Sequence, residues 1–304
     1  MKIVLPTYTQ NYNLSPFKTE VDANKYNLTF KTEGIADYLL YWGLNSNRLN
    51  VSRKFGVMET GFFHEAGFID TLGGYHQSSL NTKYGYDAVA NYDLGSRLSA
   101  REIIYGRPIH QQSKFNAGSG MNESFDHEIV LACQNPTDRS ITFPHTPDEY
   151  WRFVKRACKF YGKNLFLKLH PWNSNEKAEP FEKLANKYGC GIGKFPLSLL
   201  KGKKFVITFN STIAIDCSLL GVPYVQYAIG TFWNSYGIHF SNYNLPSQVT
   251  PIENAEKLAD FLIHKYCFNK TMSQPKYAAM IHHFATSEDI FPMNDVFSYA
   301  SNCV

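Results

Sequence analysis

The sequence predicts an α/β protein built on a parallel, doubly wound sheet, and three observations carry that prediction. Strand-like and helix-like segments alternate through the second half of the chain, the order that a parallel sheet with crossover helices requires. The strand-like runs are short and continuously apolar, as buried strands are. At roughly 150 residues per domain, the length of 304 residues suggests two domains.

Lys2 to Leu5 and Lys54 to Met58 read as strands, and Glu33 to Trp42 reads as a helix. Gly61 to Gly120 is rich in Gly, Tyr, Asn and Ser. This composition predicts long loops around few elements, and loops of that length are usually functional. Glu128 to Cys133 is a strand-like apolar run. In Thr146-Pro147-Asp148-Glu149 a Thr cap, a Pro at the first helical position and a Glu at the third mark a helix start. Tyr150, Phe153, Val154, Ala157, Cys158 and Tyr161 follow at the spacing of one apolar helix face, which makes Cys158 a core residue. Leu165 to Leu169 is a strand, Pro180 to Tyr188 a helix closed by Gly189, and Phe205 to Thr208 a strand. A helix from about Ser211 to Leu220 ends at Gly221, Pro223 to Gln226 is a strand, and Ala255 to Tyr266 and Lys276 to Phe284 are helical.

Composition narrows the function. The 30 Lys and Arg against 26 Asp and Glu give a net charge of +4, too mild for a nucleic-acid-binding tail. An aromatic content of 15% and a mean hydropathy of −0.31 indicate a folded chain rather than a disordered one. The first residues lack the apolar region of a signal peptide, and no run approaches the roughly 18 apolar residues of a membrane span. The expectation is a cytoplasmic protein, with peripheral contact at the inner face of a membrane left open. Six cysteines are scattered without C-x-x-C spacing and read as free thiols.

Ligands of open parallel sheets bind beyond the carboxyl ends of the strands, so the residues that follow each strand are the candidates. Gln134, Asp138 and Ser140 follow Cys133; Lys168 and His170-Pro171 close the next strand; Asn210-Ser211-Thr212 opens the helix after Thr208; Glu59 follows Met58. A helix start with free N–H groups and the Ser211 and Thr212 hydroxyls suits a phosphate, although a plain N-cap has the same pattern. Asp138 equally suits an Asx-turn in Asn-Pro-Thr-Asp, and His170 a loop histidine bonded to backbone. No H-E-x-x-H, D-x-D, P-loop or G-x-G-x-x-G pattern occurs. The reading is therefore no metal and no cofactor, with ATPases and nicotinamide dehydrogenases disfavoured.

Five segments, taken in order, resemble the bacterial capsule-polysaccharide biosynthesis family, specifically its retaining β-Kdo glycosyltransferases that use CMP-Kdo. They are Glu59-x-Gly61-Phe62; Gln134-x-x-x-Asp138-x-Ser140; Lys168-x-His170-Pro171; Ser211-Thr212-x-x-x-Asp216-x-x-x-x-Gly221-x-Pro223; and Gly230-Thr231-Phe232-Trp233 ahead of Gly237. The resemblance implies a GT-B fold of two facing Rossmann-like domains with a cleft between them. The corresponding division is 1–143 on the acceptor side and 144–304 for the nucleotide sugar, with the last helix able to pack back on the first domain. It implies Asp138 as nucleophile of a double displacement and Glu59 as the acid serving the acceptor hydroxyl or leaving group. Lys168 and His170 would meet the phosphate or a sugar carboxylate, Ser211 and Thr212 would donate to the phosphate, and Gln134 and Ser140 would position Asp138. Asp216 stands where the family usually has Glu, and His64-Glu65 where a basic residue is expected. The implied partners are a CMP-linked nucleotide sugar as co-substrate and a glycan or glycolipid acceptor, in capsule or lipopolysaccharide synthesis. A UDP- or GDP-sugar transferase, a non-catalytic carbohydrate or nucleotide module and a nucleotide-sugar epimerase are the alternatives.

Overall fold

The structure is a computed structural model that describes residues 1–5, 16–30, 36–42, 52–74, 77–114, 126–142, 144–228, 238–239, 245–249 and 255–302. The Gly230-Thr231-Phe232-Trp233 segment with Gly237 lies outside the described residues. The chain forms two compact units, one of Met1–Gly106 with Asp260–Val304 and one of Arg107–Ala259.

The first unit holds a six-stranded sheet of β1 (Ile3–Val4), β2 (Leu28–Thr29), β3 (Ala36–Trp42), β4 (Ser52–Thr60), β5 (Ala66–Asp70) and β12 (Cys267–Asn269). The spatial order is β12-β5-β4-β3-β1-β2, with β5 antiparallel to both its neighbours and the remaining pairs parallel. β3 corrects the helix expected over Glu33 to Trp42. Tyr38 and Leu40 pack into one core cluster while Leu39 and Tyr41 pack into another. A strand buried on both faces loses the alternation that would mark it, so its apolar run imitates a buried helix. The last helix, α9 (Gln274–Thr286), sends Tyr277, Met280, Ile281 and Phe284 into the core that contains Ile3, Leu5, Tyr38 and Met58.

The Gly61 to Gly120 region carries more structure than its composition suggests: β5, α2 (Lys83–Ala90) and α3 (Ala100–Tyr105) lie within it. Buried Asp70 organises its start. The Asp70 carboxylate accepts hydrogen bonds from the N–H groups of Leu72, Gly73 and Ser79 and from the hydroxyls of Ser79 and Tyr266, all between 2.6 and 2.9 Å. Burial nonetheless raises its pKa, so these bonds offset the cost of a carboxylate in the interior.

The second unit positions the site. Its sheet, in the order β11-β10-β9-β6-β7-β8, is parallel throughout. The strands are β6 (Ile129–Ala132), β7 (Leu165–Lys168), β8 (Gly191–Gly193), β9 (Phe205–Thr208), β10 (Tyr224–Gln226) and β11 (Ile238–His239). The change of unit at 106/107 and 259/260 replaces the expected division at 143/144. That expected division places β6 in the first domain, but β6 pairs with β7 and β9, Ile129 standing opposite both Leu165 and Phe205.

Helix α5 (Pro147–Tyr161) starts at the Thr146 cap with its reciprocal Glu149 bond and buries Tyr150, Phe153, Val154, Ala157, Cys158 and Tyr161. Helix α6 (Asn175–Tyr188) begins five residues before the expected Pro180. Proline forfeits one intrahelical hydrogen bond there, and burial of Ala178, Phe181 and Ala185 holds the helix through it. Gly189 and Gly221 end α6 and α7 (Ile213–Leu220) at φ 72° and 69°, left-handed positions that favour glycine. Among the described residues, no helix is long and apolar enough to cross a membrane.

Candidate functional site

The carboxyl ends of β6, β7 and β9 meet where successive strands leave β6 in opposite directions, the place at which open parallel sheets bind ligands. A pocket of about 470 Å³, part of it open to solvent, lies there; its lining includes Lys114, Cys133, Lys168, His170, Ser211, Thr212 and Asp216. Four separate strand ends and loops thus converge, and five of the expected site residues share one cavity.

Lys168 is the electrostatic centre of the pocket. As the last residue of β7 it is 5% exposed, and its ammonium lies 5.3 Å from the Phe195 ring centroid. No hydrogen bond or ion pair reaches it among the described residues. Burial lowers its pKa, and the Asp216 carboxylate pulls the other way. Holding an ammonium in this way is costly, and an anion entering the pocket would offset that cost.

His170 is neutral at pH 7. Burial first, and then the Lys168 charge, push its pKa down to about 4. Its Nδ1 accepts the Trp172 N–H at 3.2 Å, so the proton resides on Nε2 and the ring is a hydrogen-bond donor without being a cation. Two bonds from Lys194 Nζ, to the carbonyls of Pro171 (3.1 Å) and Asn173 (2.9 Å), brace this turn.

At the start of α7, Ser211 N–H donates to Thr208 Oγ1 at 3.0 Å and Ser211 Oγ accepts from Ile213 N–H at 3.3 Å. Ser211 therefore does serve as a local cap. Thr212 makes no side-chain cap bond, and it lines the pocket beside the helix start. Asp216, one turn further on, faces the same space.

Burial pushes the Asp216 carboxyl up to about 7, with Lys168 and Lys114 opposing. Asp216 therefore gains its negative charge across the neutral range. Asp216 would then repel any anion entering the pocket more strongly as pH rises from 6 to 8, and Asp216→Asn should flatten that dependence in calorimetric titrations. Stability falls in the same direction. The folded pKa lies above the unfolded value of 3.8, so the contribution is fully present below about pH 4 and lost as pH rises through 7. At pH 8 the Asn variant should be more stable by about 1–3 kcal/mol, read from denaturant melts.

Beside the pocket a hydrogen-bonded network reaches Asp138. Buried Gln134 exchanges backbone bonds with the Tyr150 hydroxyl (2.8 and 3.2 Å). Gln134 Nε2 donates to Asn210 Oδ1 at 2.7 Å, and Asn210 N–H donates to Gln134 Oε1 at 3.0 Å. Asn210 Nδ2 donates to the Ser140 carbonyl at 2.7 Å. The N–H and hydroxyl of Ser140 in turn donate to Asp138 Oδ1 at 2.8 and 2.7 Å. Exposed Asp138 is thus the cap of the short helix α4 (Arg139–Thr142). Its Oδ2 makes no hydrogen bond among the described residues.

Glu59 belongs to the first unit, near the end of β4 opposite Phe68 of β5; it is buried, and its Oε1 accepts the Thr60 N–H at 2.7 Å. Sequence reasoning missed Asn210 and Lys114. In the sequence Asn210 marks only the approach to a helix start, two residues beyond the strand that ends at Thr208. Lys114 sits in a region read as loop, with no local signal. Among the described residues, no group of three His, Cys, Asp or Glu is placed to hold a metal ion.

Two six-stranded α/β units, the second with a pocket at its strand ends, place the protein in the GT-B fold class. No protein-family model and no curated protein sequence matches the chain. Two solved structures from Thermosulfurimonas dismutans are similar. "KpsC, beta Kdo 2,4 transferase" aligns with a TM-score of 0.55 at 15% identity, over 93% of this chain and 98% of that one. "KpsC, beta Kdo 2,7 transferase" aligns with a TM-score of 0.55 at 16% identity, over 93% and 99%. At these identities the likeness shows the fold.

Proposed function

We propose that the chain is a glycosyltransferase of surface-polysaccharide synthesis that transfers a sugar from a nucleotide donor, Kdo from CMP-Kdo, to a glycan acceptor with retention. The observation that carries this reading is the buried Lys168 ammonium, without a hydrogen bond or ion pair among the described residues, in the same pocket as the start of α7, a combination that suits a phosphate. The two similar structures are both beta Kdo transferases, and that activity is carried over to this chain on the likeness of fold. Lys168, neutral His170, Ser211, Thr212 and the helix start hold the donor phosphate as the glycosidic bond breaks. Asp138, with Oδ2 open, attacks the anomeric carbon, and the acceptor hydroxyl then displaces it. Glu59 serves the acceptor side.

A thermal-shift panel of CMP-, UDP- and GDP-linked sugars tests the donor: CMP ligands are expected to raise the melting temperature most. A shift from UDP or GDP sugars alone would overturn the CMP assignment. Ser211→Ala or His170→Ala should weaken nucleotide binding by about 1–3 kcal/mol each, the range for a hydrogen bond to a charged group. Transfer should also persist in EDTA, because Lys168 and the helix start neutralise the phosphate. The second reading, a binding module without catalysis, is favoured by one observation, that Asp138 Oδ1 is already engaged as a cap; the Asp138 variant considered below separates the two.

A further inference from the structure

We infer that Asn210 is a positioning residue that couples the occupied phosphate site to Asp138, so that donor binding sets the nucleophile's turn before the sugar is transferred. The inference rests on the reading of the pocket as the donor phosphate site. Asn210 stands between the two halves of the site. Its backbone immediately precedes Ser211, whose N–H is bonded to Thr208 at the end of β9. Its side chain spans to the other strand. Oδ1 and the backbone N–H are engaged with the Gln134 amide at 2.7 and 3.0 Å, and Nδ2 holds the Ser140 carbonyl at 2.7 Å.

From Ser140 only one further step reaches the carboxylate, since both the N–H and the hydroxyl of Ser140 are bonded to Asp138 Oδ1. Asn210 and Gln134 are buried, whereas Asp138 is exposed at the head of a four-residue helix. A helix that short has no stability of its own. The direction in which Oδ2 points is therefore set by how firmly the Ser140 carbonyl is held, and Asn210 Nδ2 is the side-chain donor that holds it. A phosphate bound at Ser211 and Thr212 restrains the backbone that carries Asn210, and the restraint passes through two hydrogen bonds to Asp138. Buried networks of this kind act as units.

Asn210→Asp isolates the link. It keeps the volume and the Oδ1 acceptor for Gln134 while placing an oxygen where the donor to Ser140 was. Asn210→Ala is the companion variant, in which no new charge is introduced. Amide hydrogen exchange of the full chain with and without CMP is the readout. In the wild type, CMP is expected to slow exchange at Ser140, Ile141 and Thr142 by about tenfold or more. In both variants CMP should still bind within about threefold of wild type, yet leave those amides within about twofold of their free rates. With donor and acceptor, the variants should lose about a hundredfold in kcat with little change in the donor KM.

A residue that merely stabilised the fold would lower protection throughout the unit and leave the response to CMP intact. CMP binding to the wild type without slowing exchange in 140–142, or an unchanged response in both variants, would overturn the coupling. Absence of any CMP binding to the wild type would instead refute the donor-site reading, and with it this inference. Folding of either variant, confirmed by its melting curve, is enough for the comparison.

Discussion

Asp138→Asn is expected to fold normally, bind donor as the wild type does, and lose roughly a thousandfold or more in turnover, about 4 kcal/mol of barrier. Each part of that outcome has its own cause. Asn is as good a helix cap as Asp, and its Oδ1 can accept the same N–H and hydroxyl of Ser140 that Asp138 Oδ1 accepts now. The turn and the Asn210 link to it therefore survive. Lys168, His170, Ser211 and Thr212 are untouched, so the phosphate keeps its partners. What disappears is the negative charge on Oδ2, which the double displacement needs both to stabilise the developing cation and to form the covalent bond. Intact-mass spectrometry of the wild type with donor should reveal a sugar adduct that the Asn variant lacks. A variant turning over within about tenfold of the wild type would leave Asp138 as the cap it structurally is. An inverted product would make a carboxylate the general base for the acceptor instead.

How far the sequence discloses this arrangement depends on whether the signal is local. Helix α5 is legible to the residue, since Thr146, Pro147 and Glu149 carry their capping chemistry in four consecutive positions. The strands β6, β7, β9 and β10 are legible from apolar runs bounded by polar residues, and Gly189 and Gly221 mark two helix ends. Position along those strands in turn places Lys168, His170, Ser211 and Thr212 at one edge, because in a parallel sheet every carboxyl end lies on the same side. Asp216 follows from one helical turn beyond Thr212.

The obscured parts are those in which distant segments decide. β3 reads as a helix because burial on both faces removes its period. β12 pairs with β5 across some two hundred positions, Cys267 opposite Phe68, and neither segment signals the other. Because the chain returns to the first unit at Asp260, a division into two consecutive halves misplaces β6. Pro180 looks like a helix start but lies inside α6, where packing overrides the local rule. The Asn210 network is equally hidden, since its bonds join residues some seventy positions apart. The family resemblance supplies roles for Asp138 and Glu59 that no spacing in the chain establishes.

Lys168→Met is expected to stabilise the free protein and cripple donor binding at once, two effects of opposite sign from a single change. In the free protein the ammonium is buried without a hydrogen bond or ion pair among the described residues, where the Phe195 ring and the more distant Asp216 compensate it. Methionine matches the length of the lysine stem and carries no charge to desolvate, so the variant should melt later, by an amount equivalent to about 1–3 kcal/mol. Binding moves the other way. At an effective dielectric of about 20, a phosphate about 4 Å from the ammonium gains about 4 kcal/mol, and some of this is spent on desolvating the phosphate. Calorimetry with the nucleotide should therefore show a loss of about 2–4 kcal/mol, roughly thirty- to a thousandfold in affinity. The loss should exceed that of Ser211→Ala, which removes a neutral donor. A higher melting temperature with unchanged affinity would place the phosphate away from β7. A lower melting temperature would show that Lys168 supports the fold rather than the ligand, and only the pairing of gained stability with lost affinity fits an ammonium held in reserve for an anion.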